Sequence, residues 1–146
     1  MPRKKPHPAR SISLVCESHR ILGMMYRSKG ETEKAVHHFE VDLGIATPFD
    51  WHDHLFWVHY ELVELFLREG RSDDAQTHVE RAKSYTANNA YTMGGTMVMQ
   101  AMVWYMQRRF EEARSEFLRV VDLLEKLGAT GDLEVCRRFL QAMERE

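Results

Sequence analysis

The sequence predicts an all-α protein: a helical solenoid of three helix–turn–helix units with a period of about 40 residues, followed by a C-terminal capping helix. Three observations predict it. Apolar residues recur at spacings of three and four, as in Leu14, Ile21, Leu22, Met25 and Tyr26, and period-two alternation is never sustained. After residue 8 the only proline is Pro48. The punctuation itself repeats: RSKGETEKAVHHF holds Gly30, Ala35 and Phe39, REGRSDDAQTHV holds Gly70, Ala75 and Val79, and QRRFEEARSEF holds Arg108, Ala113 and Phe117.

Each unit reads the same way. A short turn leads into an acidic first helical turn (Glu31 and Glu33; Asp73 and Asp74; Glu111 and Glu112), where a helix N-terminus favours negative charge. A small residue then lets two helices approach, and a large apolar residue one turn on fills the space between them. The alanines lie 40 and then 38 residues apart. Ser72 is a candidate N-cap, Asp50 another, and Asp53 a first-turn charge. Helices are expected near 12–29, 32–46, 51–69, 72–86, 89–107 and 109–127. Gly94 and Gly95 fall inside the fifth, where they permit close packing or mark a bend or a later start. A seventh helix near 131–145 follows Gly128 and Gly131, with Leu133, Cys136, Phe139, Leu140 and Met143 on one face and charge on the other. The expected organisation is a basic disordered tail over 1–10, repeats over about 11–49, 50–88 and 89–129, and the cap over 130–146. Helix one has no such cap, and its apolar flank predicts either a longer array or self-association there.

The pattern resembles the tetratricopeptide repeat. In the first copy Leu22, Gly23, Tyr26, Gly30, Ala35 and Phe39 fall in register, with His19 in place of the tryptophan. The second keeps Leu62, Gly70, Ala75 and Ala82, with Phe66 for the tyrosine, and the third keeps Ala101, Ala113 and Phe117, with Trp104 for the tyrosine. The longer period, with FDWHDHLFWVHYELVELFLREGRSDDAQTHVERAKS and WYMQRRFEEARSEFLRVVDLLEKLG, is similar to the C-terminal tetratricopeptide arrays of fungal, especially basidiomycete, multidomain proteins. Those arrays often follow a STAND-type nucleotide-binding domain of the NACHT or NB-ARC kind. This chain has no phosphate-binding glycine loop, so only the sensor or scaffold role is implied, in a right-handed superhelix.

Composition narrows the function classes. A formal charge of −2 opposes dedicated nucleic-acid binding. The most apolar stretch, MVMQAMVWYM, is too short to span a membrane. Cys16 and Cys136 stand 120 residues apart and form neither a disulfide framework nor a zinc spacing; a reducing, cytoplasmic location follows. The basic PRKKP of the tail is a weak nuclear-import patch.

WHDHLFWVHY, residues 51–60, is the one stretch that suggests chemistry. Four residues beyond His52, His54 and His59 stand Phe56, Val58 and Val63, so no helical pair of ligands forms. His38 and Asp42 do share that spacing, but two residues are not a site. No nucleophile or paired-carboxylate motif stands out. The reading is therefore no enzyme, no cofactor and no metal. His19 and His59 occupy one repeat position and are expected between helices, and Trp51 is expected to pack.

In tetratricopeptide folds the first helix of each hairpin lines a concave groove. The resemblance puts Glu17, Arg20, Met24 and Arg27 there from copy one, Trp57, Tyr60, Glu64 and Leu67 from copy two, and Gly95, Val98, Met102 and Tyr105 from copy three. Met24 and Glu64 stand where the chaperone-binding subfamily has asparagines, and only Arg20 imitates its lysine, so an acidic chaperone tail is not the expected ligand. The expected function is a protein-binding scaffold that takes a peptide or partner domain in this groove. The alternative is a structural end-piece of a larger array or a self-associating module.

Overall fold

The computed structural model describes residues 8–86 and 89–145. The described chain is helical throughout, with seven α-helices and no strand: α1 (Pro8–Ser28), α2 (Thr32–Ala46), α3 (His52–Arg68), α4 (Ser72–Lys83), α5 (Ala90–Met106), α6 (Phe110–Leu127) and α7 (Thr130–Glu144). Six of them begin and end within a few residues of the expected bounds. α1 starts earlier than expected, at Pro8, because proline fits a first helical position, where its missing N–H would have no partner. Residues 1–7 of the expected tail lie outside the described residues.

The repeated turns are built alike. Gly30, Gly70 and Gly128 are left-handed at φ 76, 71 and 69°, and Arg108 takes the same conformation at φ 62° without being glycine. In each turn the next N–H donates back to the preceding helix: Glu31 to Tyr26 and Arg71 to Phe66 at 2.9 Å, Arg109 to Trp104 at 2.9 Å, and Ala129 to Leu124 at 3.1 Å. That bond places Arg71 at the N-cap of α4, so Ser72 is its first helical residue and not the cap expected. Asp50 is likewise no N-cap. It closes a short 3₁₀ turn, Thr47–Phe49, in left-handed conformation at φ 50°. Phe49 stacks on half-buried Trp51 at 4.9 Å in front of α3. Asn89, by contrast, is a true cap, its side chain accepting from the Tyr91 N–H at 2.9 Å.

Contacts divide the chain after Val58 into two compact units. In the first, α1 packs antiparallel on α2. Gly23 lets them close: a Cβ there would meet Phe39 Cε1 at 2.7 Å. Ala35 and Phe39 are fully buried, as the repeat pattern requires. The outer flank of α1 is apolar and open, with Leu14, Val15, Ile21 and Met25 45–64% exposed.

In the second unit α4 packs on α5, α5 on α6, and α7 on both α6 and α5. Ala75, Val79, Ala113 and Phe117 are fully buried. Gly94 sits inside α5 with its missing side chain facing Leu124 at 3.3 Å, so the helix is continuous and the glycine serves close packing. α7 buries Leu133, Cys136 and Met143, while Arg137, Arg138 and Glu134 stay exposed. Its Phe139 stacks on Phe117 at 5.1 Å and meets Tyr105 edge-on at 5.0 Å.

Candidate functional site

α3, α5 and α7 enclose an apolar notch of about 330 Å³ in the second unit. Glu64, Leu67 and Arg68 line it from α3, Met102 and Met106 from α5, and Val135 and Phe139 from α7. The floor is buried, with Leu67 9% and Met102 5% exposed, whereas Met106 on the wall is 42% exposed. The helical spacing explains the convergence. Leu67 lies three residues after Glu64, and Met106 four after Met102, so each pair shares one face of its helix.

The expected groove residues are distributed differently from a single open surface. Glu64, Leu67 and Met102 meet in the notch. Val98, at 1% exposure, and Gly95 are core residues, because α5 is apolar on nearly every face and is covered accordingly. Tyr105 turns to Phe110 and Phe139. Tyr60 is half-buried, and burial together with the nearby carboxylates of Glu64 and Asp132 pushes its hydroxyl pKa far upward. Burial also raises that of Asp132. In the first unit Arg20, half-buried, donates to Glu17 at 2.5 Å and reaches Met24 Sδ at 3.6 Å, and its cation holds the Glu17 carboxyl below the usual range. Arg27 lies half-buried in the last turn of α1. Trp57 is 39% exposed and meets Phe56 edge-on at 4.9 Å.

Arg68, Met106, Val135 and Phe139 were not expected in the site. The position of Met106, one turn past Met102, is a signal that was present in the sequence. The fold-back of α7 onto α5 has no local signal.

Among the histidines, His19 and His59 do sit between helices. His59 pairs with His78 through their Nδ1 atoms at 2.9 Å, and His19 with His38 at 3.0 Å. His54 departs from expectation: its Nε2 lies 2.6 Å from Asp42 Oδ1, and Cys16 stands beside both. The i, i+4 spacing of ligands along one helix does not reveal this set, because the three residues come from three helices. Burial, then the Asp42 charge, pushes the Cys16 thiol up to about 11. Burial pushes the Cys136 thiol up to about 12.

No helix among the described residues is long and apolar enough to cross a membrane. Comparison with protein-family models, with curated proteins and with solved structures finds no match for this chain.

Proposed function

We propose that the chain is a non-enzymatic interaction module of tetratricopeptide-like repeats, and that it takes an apolar anchor of a partner protein or peptide into the α3–α5–α7 notch. The notch carries this reading. It is concave and walled by methionines, whose flexible thioethers adapt to varied ligands. Glu64 and Arg68 put an acid and a base at its edge, which suits a polypeptide backbone or mixed side chains better than a polyanion. The recurring left-handed turns and buried alanines support the repeat reading, and the formal charge of −2 supports a protein ligand over nucleic acid.

The test is a displayed peptide library panned in parallel on wild type and Met106→Glu. Peptides with a large apolar anchor, enriched on wild type and lost on the variant, are the expected result. Enrichment that ignores the substitution, or none at all, refutes the placement.

A second reading rests on the open flank of α1. Leu14, Ile21 and Met25 recur at seven and four, and all are about half exposed or more. A stripe of this kind marks a contact with another helix, and on this reading the partner is a second copy of the chain. Sedimentation should then show a concentration-dependent dimer that Ile21→Glu abolishes. A monomer at every concentration sinks this reading.

A further inference from the structure

We propose that Cys16, Asp42 and His54 form a transition-metal site, and that the ion it takes is zinc. Cys16 comes from the middle of α1, Asp42 from the last turns of α2 and His54 from the first turn of α3. One ligand atom from each lies within 4.8 Å of the other two. A tetrahedral zinc centre holds such atoms about 3.5 Å apart, so modest side-chain rotation closes the set.

The state of Asp42 is the second observation. Its side chain is fully buried, and while Oδ1 meets His54, Oδ2 has no N–H or O–H donor among the described residues, only the weak S–H of Cys16 beside the carboxylate. A buried carboxylate oxygen left without such a donor is costly, and native proteins rarely tolerate one without use for it. A cation between Oδ2, the Cys16 sulfur and the His54 ring satisfies it.

The repeat register supplies a third. The equivalent places in the next copy, 40 residues after Cys16 and Asp42 and 38 after His54, hold Phe56, Ala82 and Thr92, all buried. The packing there works with a single hydroxyl, which Thr92 donates to the Asn89 carbonyl, and without a thiol, carboxylate or imidazole at any of the three places. The first copy carries a thiol, a carboxylate and an imidazole there, which packing alone does not require.

The charges also balance. Zinc with one thiolate, one carboxylate and one neutral imidazole sums to zero, which suits a site whose Cys16 and Asp42 are almost wholly withdrawn from water. As the metal–sulfur bond forms, the Cys16 thiol gives its proton to solvent, and nothing is oxidised or reduced. A cysteine–histidine–aspartate set is borderline in softness, which favours zinc over magnesium or calcium. A cavity of about 420 Å³, lined by Ser13, Cys16, Trp51, His52, Asp53 and His54, adjoins the ligands and leaves the fourth position to water.

The test titrates the full chain, reduced and stripped by a chelator, with cobalt(II). At one equivalent the expected spectrum has a thiolate-to-cobalt charge-transfer band in the near ultraviolet and intense four-coordinate visible bands, both bleached by one equivalent of zinc. Cys16→Ser removes the charge-transfer band, Cys136→Ser keeps it, and His54→Gln weakens cobalt binding at least about tenfold. A folded wild type without the band overturns the proposal, as does a band that survives Cys16→Ser. If circular dichroism shows Cys16→Ser unfolded, half-buried His54 decides: unchanged cobalt affinity in His54→Gln overturns the proposal equally.

Discussion

His59 and His78 meet through their Nδ1 atoms at 2.9 Å, and Phe66 stacks on the His78 ring at 5.5 Å. Forty residues earlier His19 and His38 meet in the same way at 3.0 Å, with Tyr26 stacked on His38 at 5.4 Å. Two nitrogens of one kind bond only when one carries a hydrogen and the other does not, so in each pair one Nδ1 donates and the other accepts. The third copy has Met97 and Glu116 at the corresponding positions, and lacks the pair.

The buried pair predicts acid sensitivity. His59 and His78 are held well below the usual imidazole value, first by burial; His59 is then lowered by His78 and Arg81, while His78 is lowered by Arg81 and raised slightly by Asp74. Well above pH 6.5 both rings are neutral whether the chain is folded or not. Below it the unfolded chain takes up protons that the folded chain refuses until about pH 4. Stability therefore falls with falling pH across that window, by about 1.4 kcal/mol per pH unit for each proton of difference. Urea melts at a series of pH values should show a steeper loss for wild type than for His59→Leu/His78→Leu. Equal slopes would mean that the pair is not the source.

The turns predict opposite effects of opposite substitutions. Gly70 has no neighbour within 4 Å of an added Cβ, so Gly70→Ala meets only the left-handed strain and should cost about 1 kcal/mol. Arg108 already bears that strain at φ 62°. Arg108→Gly relieves it at the expense of a more flexible unfolded chain and should gain about 0.5 kcal/mol. Chemical denaturation of both variants checks the pair, and a destabilised Arg108→Gly would contradict the turn geometry.

The helices were legible because their signals are local. Gly30, Gly70 and Gly128 end helices, and the spacing of Ala35, Ala75 and Ala113 repeats the hairpin. The N-caps misread at Ser72 and Asp50 show where local signals fail. Both are good capping residues, but the backbone bond from Arg71 to Phe66, and the 3₁₀ turn ahead of Asp50, had already set the boundary. The site was less legible for a different reason. Cys16, Asp42 and His54 lie on three helices, and Val135 and Phe139 reach the notch only because α7 folds back on α5. Neither convergence is periodic in the sequence.

Two glycines of one unit separate packing from propensity. Gly23→Ala sets a Cβ 2.7 Å from the Phe39 ring, which is fully buried and has little room to retreat. Overpacking of this kind costs about 1–3 kcal/mol. Gly44 lies inside α2, exposed, with nothing within 4 Å of an added Cβ. Gly44→Ala should stabilise by about 0.5–1 kcal/mol through helix propensity alone. The same atom is added in both, so thermal melts showing shifts of one sign would refute the close approach of α1 and α2.

Met102 and Met106 offer the sharpest separation of stability from recognition, since both line the notch from one face of α5. Met102 is 5% exposed and forms part of the core, whereas Met106 is 42% exposed. A carboxylate at 102 would be buried among apolar groups and beside Glu64, and Met102→Glu should cost about 3 kcal/mol or more. At 106 it reaches water, and Met106→Glu should change stability by no more than about 0.5 kcal/mol. If urea melts bear this out, loss of peptide binding in Met106→Glu reports on the notch and not on unfolding. If Met106→Glu proves as destabilising as Met102→Glu, the wall of the notch is core, and α7 has filled the place where a partner would bind.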